Sequence, residues 1–308
     1  MRDLLKKVLI GGAIILATTI PVFGKKNVNK ESKLERFVML SKSDPFVEPH
    51  YKISAFEERI IQRLDELSVR LAQDGFDRNE ILNLYADKDF RIERDILRIY
   101  SKGRIGRPMS YEEYRRRHGI DRLIKLAPIF YNTYAKEIEE AAREYNFDSR
   151  QIVSTVAIET VLATFLGNCK AFNAIAALYA SDRKKEFGYK QMKPYIQYCK
   201  EKKVDVYTFP SSIAGAMGYP QIIPQNLKRY CNERNPMNLV DSFHIIARFH
   251  KDAGWDSKQN HKIPQPGSRN WKAIHAYNNS DNYVRARNEL AASLKIRSVA
   301  IRAVPISD

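Results

Sequence analysis

Cysteine is scarce in this sequence: Cys169, Cys199 and Cys231 are the only three in 308 residues. They form no Cys-x-x-Cys pair and no Cys/His cluster at metal spacing, so a structural zinc site finds no support. So odd and sparse a set leaves two roles open: one disulfide with a free thiol, or three buried thiols acting as small apolar side chains. Glycine spacing of the Rossmann or P-loop kind is missing, which removes the common nucleotide-binding motifs. Strand-like alternation is rare, and internal repeats and low-complexity tracts are absent. Past residue 20 no apolar run is long enough to cross a bilayer. The length itself suffices to bury a full core without covalent staples.

What the chain does have is positive charge. Lys and Arg number 52 against 36 Asp and Glu, a formal charge of +16, so the surface attracts polyanions. Nucleic acid, anionic lipid and a carboxylate-bearing cell wall all meet that description. The basic residues are scattered, however, and do not form a recognisable nucleic-acid module. The N-terminus narrows the choice. Arg2, Lys6 and Lys7 precede an apolar stretch from Val8 to Ile20, and Val22-Phe-Gly24 offers residues that a signal peptidase accepts. Residues 1–24 read as a secretory signal peptide, with an uncleaved anchor as the alternative. No cysteine near the site invites lipidation. The expected location is the periplasm or cell envelope, which argues against a nucleic-acid partner.

Residues 25–50 are polar, carry Pro45 and Pro49, and read as a leader or linker. From Tyr51 to Tyr100 apolar residues recur at helical spacing, as in Ile60, Ile61, Leu64, Leu67 and Leu71, and again in Ile81, Leu82 and Leu84. A break at Gly103 to Pro108 precedes Ser110-Tyr-Glu-Glu113, a capping-box pattern that opens a basic helix with Arg115, Arg116 and Arg117. One long helix is expected from Ile120 to Tyr145. Asp148, with Gln151 three residues on, signals another helix start near Ser149. Loops are expected from Phe209 to Gln225 and from Lys262 to Ser268. The fold class is therefore mainly α, with a C-terminal tail at 293–308.

In the helix that begins near Ser149, Ile152, Val156, Glu159 and Ala163 fall at i, i+4, i+7 and i+11, on one face. A carboxylate on an apolar stripe is costly to ionise, so it holds its proton toward neutrality, the state a general acid needs. The plainer reading is a helix-edge glutamate paired with a nearby Arg or Lys. A second feature is Ser211-Ser-Ile-Ala-Gly-Ala-Met-Gly-Tyr-Pro-Gln-Ile-Ile-Pro224, whose small residues allow close approach of backbone and ligand, or simply tight packing before a proline-bounded turn. A third is Ala276-Tyr-Asn-Asn-Ser-Asp-Asn-Tyr283, where aromatic faces and amides stand together as they do in sugar sites, or in a surface turn before a helix.

Taken in order, Ile152-x-x-x-x-x-Ile-Glu-Thr160, Ser212-Ile-Ala-Gly-Ala-Met-Gly-Tyr-Pro-Gln221 and Ala276-Tyr-Asn278 resemble the membrane-bound lytic murein transglycosylase B family. Tyr111-Glu-Glu-Tyr-Arg-Arg-Arg117, Phe130-Tyr131, Phe187 and Ala253-Gly-Trp255 extend the resemblance over roughly Tyr51 to Ala292, and 51–292 is expected to be one catalytic domain. The resemblance implies a lysozyme-like helical fold around a glycan cleft. It also implies cleavage of the β-1,4 bond between N-acetylmuramic acid and N-acetylglucosamine, with Glu159 acting as acid and then as base to close a 1,6-anhydro ring. By the same carry-over Ser212 hydrogen-bonds near the carboxylate or the sugar, Tyr277 and Asn278 meet the muramoyl residue, Tyr283 lines the cleft and Gln221 contacts the glycan. Peptidoglycan is the implied partner, and no cofactor is called for.

The sequence departs from the family beside the chemistry. Where the family has x-Tyr-Gly after Glu-Thr, this chain has Val161-Leu-Ala163, and the family's Asp-Ala-Leu is Asn173-Ala-Ile175. Leu162 supplies no phenol. The family's calcium loop has no counterpart, since Tyr230-Cys-Asn-Glu-Arg-Asn-Pro-Met237 lacks the Asp series, and no metal is expected. These departures keep two alternatives in view: a wall-binding or scaffold protein with weakened or lost turnover, and a hydrolytic muramidase.

Overall fold

Residues 54–101 and 108–294 are described by a computed structural model; the stretches read as a signal peptide and a polar leader, and all but the start of the expected C-terminal tail, lie outside the described residues. The described chain is helical almost throughout, as its patterning predicts, and its only paired strands are two residues long. It divides into two compact units.

The first unit comprises Met109–Thr164 and residues 246–294. Its central element is the helix Ser149–Thr160, which keeps Ile152, Val153, Val156 and Ala157 fully buried. Around it pack Ile120–Thr133, Ala135–Tyr145 and Asp281–Ser293. Local chemistry sets the helix ends. Ser110 and Glu113 close the expected capping box at the start of Tyr111–Arg117. Asp148, itself buried, accepts from the Arg150 N–H at 3.0 Å and pairs with the Arg150 guanidinium at 2.7 Å. Gln151 does not complete a second box; its side chain turns inward instead.

One expectation needs correcting here: the stretch from Ile120 to Tyr145 is two helices. Tyr134, at φ −121° and ψ 23°, leaves the helical region between them. Pro128 has already removed one ladder hydrogen bond, and the Thr133 hydroxyl turns back onto the Ile129 carbonyl at 2.8 Å, the kind of local bond that competes with helix continuation.

The second unit comprises residues 54–101, Pro108 and Phe165–Ile245. Its core is Ala171–Ala180, an alanine-rich helix buried on every side, against which Ala55–Gln73, Arg94–Ile99 and Lys185–Lys202 pack. Small side chains let helices approach from several directions at once, which is why this segment shows no amphipathic stripe. Cys169–Lys170 and Pro210–Ser211 pair antiparallel at the edge of this core. All three cysteines are free thiols; Cys199 and Cys231 are buried and Cys169 half-buried. Their thiols are pushed well up by burial, Cys199 to about 11 and the others to about 12.

We label the helices in chain order: α1 (Ala55–Gln73), α2 (Arg78–Tyr85), α3 (Arg94–Ile99), α4 (Tyr111–Arg117), α5 (Ile120–Thr133), α6 (Ala135–Tyr145), α7 (Ser149–Thr160), α8 (Ala171–Ala180), α9 (Lys185–Lys202), α10 (Leu227–Tyr230), α11 (Leu239–Asp252), α12 (Arg269–Tyr277) and α13 (Asp281–Ser293). Among the described residues no helix is long and apolar enough to cross a membrane.

Candidate active site

Glu159 sits in the last turn of α7, where the helix leaves the core and its side chain keeps partial access to solvent. Protein packed around the carboxyl strips it of water, and this desolvation raises its pKa from the ordinary 4.5 to about 7. Two weaker influences oppose the rise, a hydrogen bond from Tyr283 and the charge of Arg287. The Tyr283 hydroxyl donates to Glu159 Oε1 at 2.7 Å. Because that oxygen accepts, the proton of the neutral acid resides on Oε2, the oxygen left for a reacting group. Burial and the neighbouring Glu159 charge together keep the Tyr283 phenol well above its ordinary range, so it remains a donor at any working pH.

Past Glu159 the chain makes a left-handed turn. Val161, Leu162 and Ala163 take φ values of 51°, 56° and 66° in succession. For residues with a Cβ this costs about 1–2 kcal/mol each. The turn is held by bonds from Leu162 N–H to the Val156 carbonyl at 3.2 Å and from Ala163 N–H to Thr160 Oγ1 at 3.2 Å. Ala163 therefore lies beyond the helix, not on its apolar face as the spacing suggested. It also stands where glycine would carry no strain, which accounts for glycine at this place in the family pattern. Leu162 is buried at 1% exposure and fills core volume. Leu162 offers no phenol, and the phenol that Glu159 does meet is that of Tyr283 on α13.

Two further predicted residues belong to the same unit. Tyr277, at the end of α12, stacks on His250 with ring centroids 5.0 Å apart and meets Phe249 edge-on at 4.7 Å. Asn278 is exposed, and its carbonyl accepts from Ser280 N–H at 2.7 Å in the link to α13. Ser212 and Gln221 belong to the other unit, where each has a local role. Ser212 Oγ accepts from Ala216 N–H at 3.3 Å, and Gln221 Nε2 donates to the carbonyls of Gly218 at 2.9 Å and Leu166 at 3.3 Å. Gly215 and Gly218, at φ 74° and 69°, let this loop turn back on itself, and a Cβ on Gly218 would lie 2.2 Å from the Pro236 carbonyl oxygen. Met217 between them is fully buried. Carboxylates that lie between these motifs in the sequence are engaged locally: Asp182 with Arg59, Glu186 with Arg70, and Asp205 as acceptor for Tyr207 N–H.

Sequence reasoning missed three residues around Glu159. Tyr114, on α4, is half-buried and stacked on His118 at 3.9 Å; burial and then the Glu159 charge hold its phenol protonated. It lies inside the Tyr-Glu-Glu-Tyr segment that contributed to the resemblance. Arg287 and His250 are fully buried. The signal for Arg287 was a cation on the stripe Tyr283, Arg287, Leu290, Ala291, the same breach of helical patterning that drew attention to Glu159.

Among the described residues no three His, Cys, Asp or Glu side chains gather as a metal site. The segment from Tyr230 to Met237 is braced by Asn235 N–H donating to Asp241 Oδ2 at 2.9 Å and Met237 N–H to Asn235 Oδ1 at 2.9 Å.

Residues 60–266 match the family model described as the transglycosylase SLT domain. Membrane-bound lytic murein transglycosylase B of Escherichia coli (strain K12) is 24% identical over 153 residues, covering 47% of this chain and 42% of that protein, so the match spans less than half of the curated relative. Among solved structures, soluble lytic transglycosylase SltB1 of Pseudomonas aeruginosa superposes with a TM-score of 0.64 at 20% identity, covering 75% of this chain and 97% of that one. SltB3 of Pseudomonas aeruginosa, solved in complex with NAG-anhNAM-pentapeptide, superposes with a TM-score of 0.64 at 17% identity over 76% of this chain and 79% of that one. Likeness at this level establishes a shared fold, the lysozyme-like helical fold of these proteins.

Proposed function

The chain belongs to the transglycosylase SLT domain family, and we propose that it is a lytic transglycosylase of the cell envelope, cutting peptidoglycan between N-acetylmuramic acid and N-acetylglucosamine. The observation that carries this reading is the Glu159 carboxyl, desolvated to a pKa of about 7 and oriented by the Tyr283 hydroxyl. An acid so poised is about half protonated at neutrality, able both to give a proton and to take one back. Glu159 Oε2 delivers its proton to the bridging oxygen as the glycosidic bond breaks and oxocarbenium character develops on the muramoyl ring. The carboxylate then removes the proton of the muramoyl C6 hydroxyl, whose oxygen attacks C1 and closes the 1,6-anhydro ring. No water is consumed, and one carboxyl performs both transfers.

A solved relative holds NAG-anhNAM-pentapeptide, a ligand of the product class this reaction makes. In the proposed complex Tyr277 and Asn278 approach the muramoyl residue; for Ser212 and Gln221 a glycan contact rests on the resemblance alone. The reading of residues 1–24 as a signal peptide supports a location in the periplasm or cell envelope, with peptidoglycan as the partner. Mass spectrometry of muropeptides released from purified sacculi tests the reading. Anhydro ends are expected from the unaltered protein and no soluble fragments from Glu159→Gln. Reducing ends would establish a hydrolase instead, and retained glycan binding without any release would establish a wall-binding protein.

A further inference from the structure

Behind Glu159 lies a charge that the proposed reaction has not yet used. Arg287 is completely buried, the largest such side chain among the described residues. Among the described residues no carboxylate oxygen lies within ion-pairing distance of it; its partners are neutral. Nη2 donates to the Gln151 carbonyl at 2.9 Å and to Gln151 Oε1 at 3.1 Å, and Nη1 meets His250 Nε2 at 2.7 Å. The His250 ring state follows from its other contact. Nδ1 faces the Ile246 carbonyl at 2.7 Å and must donate, so Nε2 carries a lone pair and accepts from the guanidinium. Burial and the adjacent guanidinium hold His250 neutral well below its ordinary range. Tyr277 and Phe147 stack on this ring, at 5.0 Å and 4.9 Å, and close the site off.

A buried cation without a carboxylate partner is expensive, and apolar packing of the same volume would be more stable. Guanidinium nevertheless remains charged at any physiological pH. Tyr283 connects it to the acid: the guanidinium carbon lies 5.7 Å from the Tyr283 ring centroid, and the hydroxyl of that ring donates to Glu159 at 2.7 Å. Tyr283 and Arg287 are one turn apart on α13, while Gln151 and Glu159 share α7, so two packed helices fix the whole arrangement. The titratable groups that face this pair within the unit are Tyr114 from α4, His250 from α11, Tyr277 from α12 and Tyr283 from α13 itself. Burial keeps the Tyr114 and Tyr283 phenols protonated and His250 neutral, which leaves Arg287 as the charge acting on Glu159 within this unit.

We propose that Arg287 is a positioning residue for the reaction: a permanent positive charge, sealed behind Tyr283, that stabilises the Glu159 carboxylate formed when the proton has left. This rests on the reading of Glu159 as the acid and base. Its consequence is a division of labour. Desolvation keeps the proton on until substrate is bound, and Arg287 stops that desolvation from making proton release too costly.

The test measures Glu159 directly by carbon-13 NMR of glutamate-labelled protein, with Glu159→Gln identifying the resonance. In Arg287→Met the titration midpoint is expected to move up by about one pH unit or more, the usual effect of losing an opposite charge. Arg287→Lys should return most of the shift. In turnover assays the alkaline limb of the kcat profile should move up by the same amount in Arg287→Met while kcat at neutral pH falls. An unmoved Glu159 midpoint in a folded Arg287→Met protein overturns the proposal. Should that variant not fold, the unaltered protein decides: the Arg287 guanidinium nitrogen resonances should titrate with the Glu159 midpoint and lose that step in Glu159→Gln. A flat response in both proteins overturns the proposal as well. Coupled titration without glycan cleavage would instead refute the proposed function and leave the charge coupling standing.

Discussion

Replacing Glu159 by glutamine should make the protein more stable, and only above the pH at which the carboxyl would ionise in the unfolded chain. The fold raises this carboxyl from 4.5 to about 7 because its charged form is desolvated. A raised value means that the folded state binds the proton more tightly than the unfolded state does. The stabilising contribution of that proton is complete below pH 4.5 and is lost progressively as the pH rises through 7. Each pH unit between the two values is worth about 1.4 kcal/mol, so the total is about 3 kcal/mol. Glutamine is neutral at every pH and nearly the same shape, and its carbonyl oxygen can still accept from the Tyr283 hydroxyl. The two proteins should therefore unfold alike near pH 4 and differ by about 3 kcal/mol at pH 8.5, the variant being the more stable. With a urea m-value of about 3 kcal/mol/M, that is about 1 M in the denaturation midpoint. Urea titrations followed by circular dichroism at half-unit pH intervals measure it without requiring turnover. Stability curves that stay parallel from pH 4 to pH 8.5 would mean that the carboxylate is well solvated in the fold, and the argument for a poised acid would fail with them.

Tyr283→Phe removes the donor that lowers the Glu159 pKa, so the alkaline limb of activity should move to higher pH; loss of a bond to a developing carboxylate should lower kcat by about tenfold to a hundredfold. Ala163→Gly relieves a left-handed residue at φ 66° and should stabilise the fold by about 1 kcal/mol in chemical denaturation, with Glu159 untouched. Gly218→Ala places a methyl 2.2 Å from the Pro236 carbonyl oxygen. That contact requires the loop backbone to move, so the variant should lose soluble yield or melt several degrees lower in calorimetry. Because burial pushes their thiols up to about 11 and 12, Cys199 and Cys231 should resist alkylation in the native protein at pH 8 and react fully in urea.

Much of the helical architecture could be read in advance because helix signals are local. The Ser110–Glu113 capping box, Asp148 before Ser149, and the Ile60–Leu64–Leu67–Leu71 stripe each need only a few neighbouring residues, and each stands where the spacing put it. The break at Tyr134 was hidden because a proline and a threonine hydroxyl act on a stretch whose apolar spacing continues across it. The helix Ala171–Ala180 has no polar face to reveal its register, since every side of it is covered.

By itself, then, the sequence determined several helix starts, which segments turn, and that Glu159 interrupts an apolar stripe, while the like interruption at Arg287 went unread, because propensity, capping and periodicity depend on neighbours along the chain. Only the tertiary structure decided what those interruptions do. Desolvation of Glu159 depends on how densely other helices surround it, and the hydrogen bond from Tyr283 spans 124 residues of sequence. The phenol that meets the acid comes from α13, and the buried cation gains its connection through the same ring. These are properties of distance and dielectric in three dimensions, which no local pattern of residues encodes.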